Sequence, residues 1–572
     1  MSFRWIMAQP EDAHAISTLQ QQLNVTPVIA RLLALRGITT FDKAKTFFRP
    51  EQAQIHDPFL MQDMETAACR LAAAIRSHEK VLIYGDYDVD GTTSTAIVYL
   101  FLKQFGLEPC YFIPHRFKDG YGISVDGIEK AIETGATLVL SVDCGITAVE
   151  EADYAREKGL DLIICDHHNA GDVIPDAFAV LDPKRPGCNY PFDGLSGAGV
   201  AFKLIQATIN KLGLPDEMAD QYLDLVAISI ASDIVPIVDE NRILMHKGLK
   251  VLNQSPRIGM RALAKLIKLE LGSISTSQIV FSLGPRINAA GRMGDASAAV
   301  ELMIADTEEE AFRRAQQLEQ INKKRRLTDA DTMKHALSLM EDDDKLDDRS
   351  VVVLHDKSWH LGVIGIVASR LVDRFCRPTV MLSTVDGHVK GSARSIKGFN
   401  IYNALKQCED LLLQFGGHEF AAGLTMTEDK LPEFKERLES VASCDLCDES
   451  FEPELLVDAE IDLSDVDLKF WKVLNQFEPF GPHNMRPVFV SRGLKIAGNP
   501  TVVGNGHLKM KLSQNGSAPF EAIGFNMHEH LPLIRNSNGK GINIAYVLEE
   551  NFWNNRRSLQ IRLKDISLPK NN

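Results

Sequence analysis

No second cysteine pair complements the single C-x2-C of Cys444 and Cys447, and the nine cysteines are odd in number and scattered. An extracellular disulfide framework is therefore not expected, and a structural zinc would need two more thiolates or imidazoles nearby. A surface loop is the plainer reading of that pair. Long apolar runs are also missing. The longest, Leu223 to Val238, is broken by Asp224 and Asp233 and is too short to span a bilayer. The opening stretch MSFRWIMAQPEDAH has no apolar segment and turns acidic at once, so no signal peptide is expected. These absences suggest a reduced cytoplasmic compartment and no membrane association. Basic charge is in deficit as well: the net charge is −15. Such a chain does not grip a polyanion through its overall field. It would need local basic patches or bound cations, and a carboxylate-lined metal site reverses the local sign. No G-x-S-x-G elbow suggests acyl chemistry.

What is present is an ordinary globular composition, 45% apolar and 24% charged over 572 residues. That length suggests roughly three to five domains. Residues 1–70 read as a short helical lead-in. From Lys80, apolar runs such as VLIYG, TLVLSV and LDLIIC alternate with helical patterns, which argues for a parallel α/β sheet over residues 71–300. Residues 301–347 have few Gly or Pro and many charges four apart, as in a long exposed helix, or a pair of helices, bridging two domains. The α/β pattern restarts over 348–443, and short strands separated by Gly- and Asn-containing turns fill 454–570. The expected class is α/β: two α/β domains joined by a long helix, plus a C-terminal β-barrel or sandwich.

The strongest local signal is Gly85-Asp86-Tyr87-Asp88-Val89-Asp90-Gly91. Three carboxylates two residues apart after a buried strand would share one side of an extended chain. Their repulsion calls for a cation unless the segment is a solvated acidic loop, the other reading. An EF-hand needs Glu where Ile97 stands, and a Walker loop needs a Lys that is absent. Asp143 ends a second predicted strand, Asp166-His167-His168 ends a third, and Asp233 follows LVAISIAS. Strand ends of an open α/β sheet line one crevice, so these groups should converge. Oxygen-rich sites with an imidazole suit Mn2+ or Mg2+. Two such ions about 4 Å apart can activate water against a phosphodiester.

In order, these motifs resemble the DHH phosphoesterase family, which the Asp166-His167-His168 triplet names. Gly416-Gly417-His418 looks like the glycine-rich motif of the associated DHHA1 domain, and the C-terminal barrel looks like an OB-fold. The order of parts is similar to that of the RecJ-type single-strand exonucleases, from about Lys80 to the C-terminus. The resemblance implies two divalent cations held by Asp88, Asp90, Asp143, His167 and Asp233, with Asp86 belonging to the RecJ version of the first motif. Tyr84 stands where many family members carry a His. His168 would polarise the scissile phosphate or orient a ligand, with Asp166 beside it in the catalytic set. The implied activity is 5′-to-3′ digestion of single-stranded DNA in repair and recombination. A monomer is expected, and a helicase or a single-strand-binding protein is an expected partner. A phosphodiesterase for short oligonucleotides or cyclic dinucleotides and a non-catalytic scaffold are the alternatives.

Cationic and glycine-bearing segments would supply what the acidic centre lacks. Ser392 and Arg394, in KGSAR, offer a hydroxyl and a guanidinium, which fits phosphate bidentately. Gly416 and Gly417 let amides approach a phosphate, and His418 can donate to it. Arg116, in HRFKDGYG, and Arg286 and Arg292, in GPRINAAGRMG, have loop-forming neighbours and would make phosphate contacts or surface salt bridges. In the barrel, Phe552, Trp553, Arg556 and Arg557 are suited in kind to a single strand, though a barrel Trp also serves as core.

Overall fold

The computed structural model describes residues 3–50, 55–341, 349–535, 541–553 and 556–569. The chain forms two compact units. One comprises Pro50–Asp331 and Pro479–Asn484; the other comprises Met1–Arg49, Thr332–Glu478 and Met485–Asn572.

The first unit is organised by a five-stranded sheet, all parallel, in the order Cys110–Phe112, Val81–Tyr84, Leu138–Val142, Asp161–Cys165, Ala179–Leu181. The central strands are apolar without alternation because both faces are covered. Val81, Ile83, Leu138, Leu140 and Ile163 pack into one core. Their neighbours Leu82, Tyr84, Val139, Leu162 and Ile164 pack into another on the opposite face. The apolar run after Tyr222 is the helix Leu223–Ser232, buried all round and ending at Asp233.

Two expectations about local conformation are corrected. The chain does not stay extended through the first acidic motif. Asp88 is instead the N-cap of the helix Val89–Gln104, its Oδ1 accepting from Gly91 N at 3.0 Å, and Asp90 lies in the first helical turn. An N-cap carboxylate satisfies an orphan amide and favours the helix dipole, which here outweighs strand continuation. Arg286 and Arg292 do not lie in a loop either, but in the helix Gly284–Met293. Its Pro285 occupies the first turn, where a missing N–H is tolerated. Gly291 fits closely, since a Cβ there would meet the Tyr87 carbonyl oxygen at 2.1 Å.

The expected bridging segment is two helices, Ser297–Ile304 and Glu308–Glu341. The second, of 34 residues, spans about 51 Å. It is not a wholly solvated rod. Ala311, Ala315, Leu318, Asn322, Arg325, Asp329, Thr332, Ala336 and Met340 form a buried stripe at steps of three and four residues. Its charged residues had concealed that periodicity.

In the second unit a five-stranded sheet runs in the order Gln414–His418, Ala421–Thr427, His388–Arg394, Thr379–Val385, Val352–His355, with the last pair parallel and the others antiparallel. The C-terminal strands close on themselves: Phe489–Ile496 pairs with both Ile542–Trp553 and His507–Ser513, which makes a barrel. The helical lead-in also carries a strand, Arg4–Met7, parallel to Glu454–Val457, and Trp5 Nε1 donates to Asp565 Oδ2 at 2.7 Å. Among the described residues no helix is long and apolar enough to cross a membrane.

Candidate metal centre and catalytic site

The carboxyl ends of the three inner sheet strands and the end of the helix Leu223–Ser232 meet at one place. Asp86, Asp88 and Asp143 bring ligand atoms within 4.8 Å of one another, and so do Asp90, His167 and Asp233. Asp143, His167 and His168 form a third such group. Asp143 and His167 each belong to two of the three. His167 Nε2 lies 3.1 Å from Asp143 Oδ1 and 3.6 Å from both Asp90 Oδ2 and Asp233 Oδ2.

Each ligand is held by a different local device. Asp143 adopts φ 63°, a strained conformation for a non-glycine residue, as the chain turns out of its strand. Asp90 is the most firmly held. Gly197 N donates to its Oδ2 at 2.7 Å, and Ala198 N and Ser229 Oγ donate to its Oδ1 at 2.8 and 2.7 Å. The two amides are the open N-terminus of the helix Gly197–Leu212, which Ser196 caps. Asp166 belongs to none of the three groups and fixes the turn instead. It accepts from the amides of Ile146, His167 and His168 at 2.9, 2.7 and 3.2 Å, and from His168 Nδ1 at 2.7 Å.

Electrostatics separate the two histidines. Burial lowers His167 to about 4 against the pull of Asp90, so its imidazole is neutral and able to donate a lone pair to a metal. Burial also opposes charge on His168, but the bond to Asp166 outweighs it and raises the group to about 9, an imidazolium at neutral pH. Asp166 pairs with it and drops to about 2 despite its own burial. Asp86, Asp143 and Asp233 are each pushed well above the usual carboxylate range, first by burial and then by neighbouring carboxylates. Asp86 Oδ1, Asp143 Oδ1 and both His167 ring nitrogens are buried without any hydrogen-bond partner. Uncompensated lone pairs and like charges at this density fit a pair of divalent cations, whose charge would reverse every one of these penalties.

Tyr84 takes no part. Its hydroxyl donates to Gly122 O at 3.0 Å in the core on the far face of the sheet. Asp86, not Tyr84, joins Asp88 and Asp143 in an acidic group at the strand ends. Arg116 stacks on Tyr87 at 4.9 Å, inside the first acidic motif. Arg286 is committed elsewhere, its Nε donating to Glu319 Oε2 at 2.6 Å, which is the salt-bridge alternative. Arg292 neighbours Tyr87 closely enough to act on its hydroxyl. In the other unit, strand register aligns Ser392, Gly423 and Gly416 in one row and, two residues along, Arg394, Ala421 and His418 in another. Gly417 has φ 146°, and a Cβ there would meet Ala421 O at 2.4 Å. The side chains of Phe552, Trp553, Arg556 and Arg557 lie outside the described residues.

Sequence reading missed several supports. Tyr121 places its hydroxyl 3.0 Å from His168 Nδ1 and 3.2 Å from Nε2. Ser229 and the Gly197–Ala198 amides hold Asp90, and only the Ser196-Gly197 capping pattern could have flagged them. Gly197 has no room for a side chain, because a Cβ would sit 2.6 Å from Asp143 Oδ1. Gly197→Ala is expected to fold but to lose roughly ten- to a hundredfold in metal affinity or activity by displacing Asp143. Titration with Mn2+ and steady-state kinetics check this.

Sequence profiles for the DHH family N-terminal domain, the DHHA1 domain and the RecJ OB domain match residues 80–230, 348–443 and 457–565. The chain is 39% identical to the single-stranded-DNA-specific exonuclease RecJ of Bacillus subtilis (strain 168), over 99% of this chain and 71% of that protein. It is 32% identical to the Escherichia coli (strain K12) protein of the same name, over 94% of this chain and 96% of the relative. The crystal structure of RecJ in complex with Mn2+ from Thermus thermophilus superposes with a TM-score of 0.84 at 29% identity, covering 100% of this chain and 80% of that one. A Mg2+ complex from the same organism gives 0.77 at 26% identity, covering 100% of this chain and 79% of that one. With the DHH, DHHA1 and OB parts following one another in that order along the chain and the acidic centre lying in the first of them, the chain belongs to the RecJ family.

Proposed function

We propose that the protein is a metal-dependent exonuclease that hydrolyses phosphodiester bonds of single-stranded DNA. The observation that carries this reading is the convergence of Asp86, Asp88, Asp90, Asp143, His167 and Asp233, with buried lone pairs left unsatisfied. Divalent cations bound there would supply an activated water and neutralise the phosphate charge. The remaining work falls to the chain's own groups. His168, half-exposed and held as an imidazolium by Asp166, presents a proton to a phosphate oxygen and stabilises the charge that builds on it. Tyr121 keeps that ring from rotating away. Asp90, locked by three donors, keeps the acidic cluster from relaxing apart.

Arg116 and Arg292 are assigned to the substrate backbone. Ser392, Arg394, Gly416, Gly417 and His418 form a second phosphate-recognition surface, to which the register of their strands lends support. Arg286 is assigned to positioning rather than to phosphate, because Glu319 already occupies it. Trp553, Arg556 and Arg557 remain assigned to strand binding in the barrel. Digestion in the 5′-to-3′ direction, within DNA repair and recombination, completes the reading.

Digestion of 5′- and 3′-labelled single strands with Mn2+, Mg2+ or chelator tests it. The expected result is mononucleotide release from the 5′ end, abolished by chelator. Turnover of a dinucleotide with no digestion of the long strand would favour the small-nucleotide phosphodiesterase instead.

A further inference from the structure

The parallel sheet of the first unit has two edges, and a cation follows the strand at each. At one edge the strand Cys110–Phe112 runs on into the turn that carries Arg116. At the other, the strand Ala179–Leu181 ends on Asp182, and Lys184 follows two residues later. Asp86, Asp143 and Asp166 leave the three strands between them. The two cations therefore flank the acidic centre along the line of strand ends, on edge strands four spacings, roughly 19 Å, apart.

Lys184 stands to its strand as His168 stands to the neighbouring one. Leu181 pairs with Cys165, and Asp166 N donates to Leu181 O at 2.9 Å, which makes Asp166 and Asp182 neighbours at the strand ends. Two residues beyond each come His168 and Lys184. The backbone there is fixed from within. Asp182 Oδ1 accepts the Lys184 amide at 2.7 Å, and Arg185 donates to Asp63 Oδ2 at 2.7 Å and to Val180 O at 2.5 Å. Asp182 is fully buried, while Lys184 is exposed and makes no ion pair among the described residues. Its charge is nonetheless felt at His167 and Asp233, behind the larger effects of burial and the site's other charged groups. An unpaired lysine held beside a carboxylate cluster, yet on a separate strand exit, is a point charge available to a ligand.

We propose that Lys184 holds a backbone phosphate of the bound strand on the side of the metal centre opposite Arg116. This rests on the single-strand exonuclease reading above. A lysine at that position reads no base, so it serves register and affinity on any sequence.

The test is steady-state digestion, by the full chain with Mn2+, of a long single strand and of a dinucleotide over a range of salt. Lys184→Ala is expected to raise KM on the long strand roughly three- to tenfold at unchanged kcat, and to reduce the slope of log KM against log salt by about 0.7. Lys184→Arg should restore both. Turnover of the dinucleotide, which has a single internucleotide phosphate, should change less than that of the long strand. An unchanged KM and salt slope for Lys184→Ala overturns the proposal, as does a fall in kcat that Lys184→Arg does not repair. If the unaltered chain digests neither substrate, or only the dinucleotide, the exonuclease reading itself fails and this inference falls with it.

Discussion

An Asp143→Asn protein is expected to lose single-strand digestion by roughly a thousandfold or more and yet, without divalent ions, to melt a few degrees higher than the unaltered chain. Both effects have one cause. Asp143 belongs to two of the three ligand groups, so removing its charge weakens the hold on both cation positions. Without cations the same charge is a liability, since burial, Asp90, Asp88 and Asp233 all oppose its ionisation. A carboxyl whose folded pKa is raised binds protons more tightly in the native state than in the unfolded one. Metal-free stability therefore falls as pH rises above the ordinary carboxylate range, and the Asn variant should lose part of that fall. Mn2+ should reverse the order by mass action, raising the melting temperature of the unaltered chain and barely moving the variant. Calorimetry with and without Mn2+, beside nuclease assays, checks both halves. Undiminished digestion by Asp143→Asn would remove the metal reading.

The second large effect concerns stability alone. Lys203 lies fully buried on the helix whose N-terminus grips Asp90, and its ammonium pairs with Glu240 and donates to His56 O at 2.8 Å. Tyr190 donates to the other Glu240 oxygen at 2.7 Å. Burial pulls the Lys203 pKa down, and Glu240 works against that pull. Lys203→Met strands a buried carboxylate and is expected to cost about 3–5 kcal/mol, lowering the melting temperature by about 10 °C. Replacing both partners, Lys203→Met with Glu240→Leu, should recover most of the loss, because no uncompensated charge then remains. Denaturant midpoints for the two variants decide the matter. Equal losses would mean that the ion pair is not what stabilises this junction.

The class of the fold was legible in the sequence because burial on both faces writes itself as unbroken apolar runs, as in VLIY and LVLSV. The acidic centre was legible because Asp86, Asp143 and Asp166 sit just beyond such runs. Local conformation was harder to read. Alternating acids after a strand suggested extended chain, but Asp88 caps a helix; Gly, Pro and Asn around Arg286 suggested a loop, but Pro285 in a first turn starts a helix. In the helix Glu308–Glu341 the buried stripe includes Asn322, Arg325 and Asp329, so hydrophobicity alone could not trace it.

The sequence by itself determined which groups could bind a metal, because carboxylates and imidazoles carry their chemistry wherever they stand. It also determined that several come at strand ends, because strand burial is a local pattern. Only the tertiary structure decided their surroundings and their charge. His167 and His168 are adjacent and identical in kind, yet one is neutral and the other an imidazolium, because burial dominates the first and Asp166 hydrogen-bonds to the ring of only the second. The grip of the Gly197 and Ala198 amides on Asp90, more than a hundred residues away, is likewise invisible in sequence. A backbone N–H is the same at every position, and only folding determines which one is left without a helical partner beside a carboxylate.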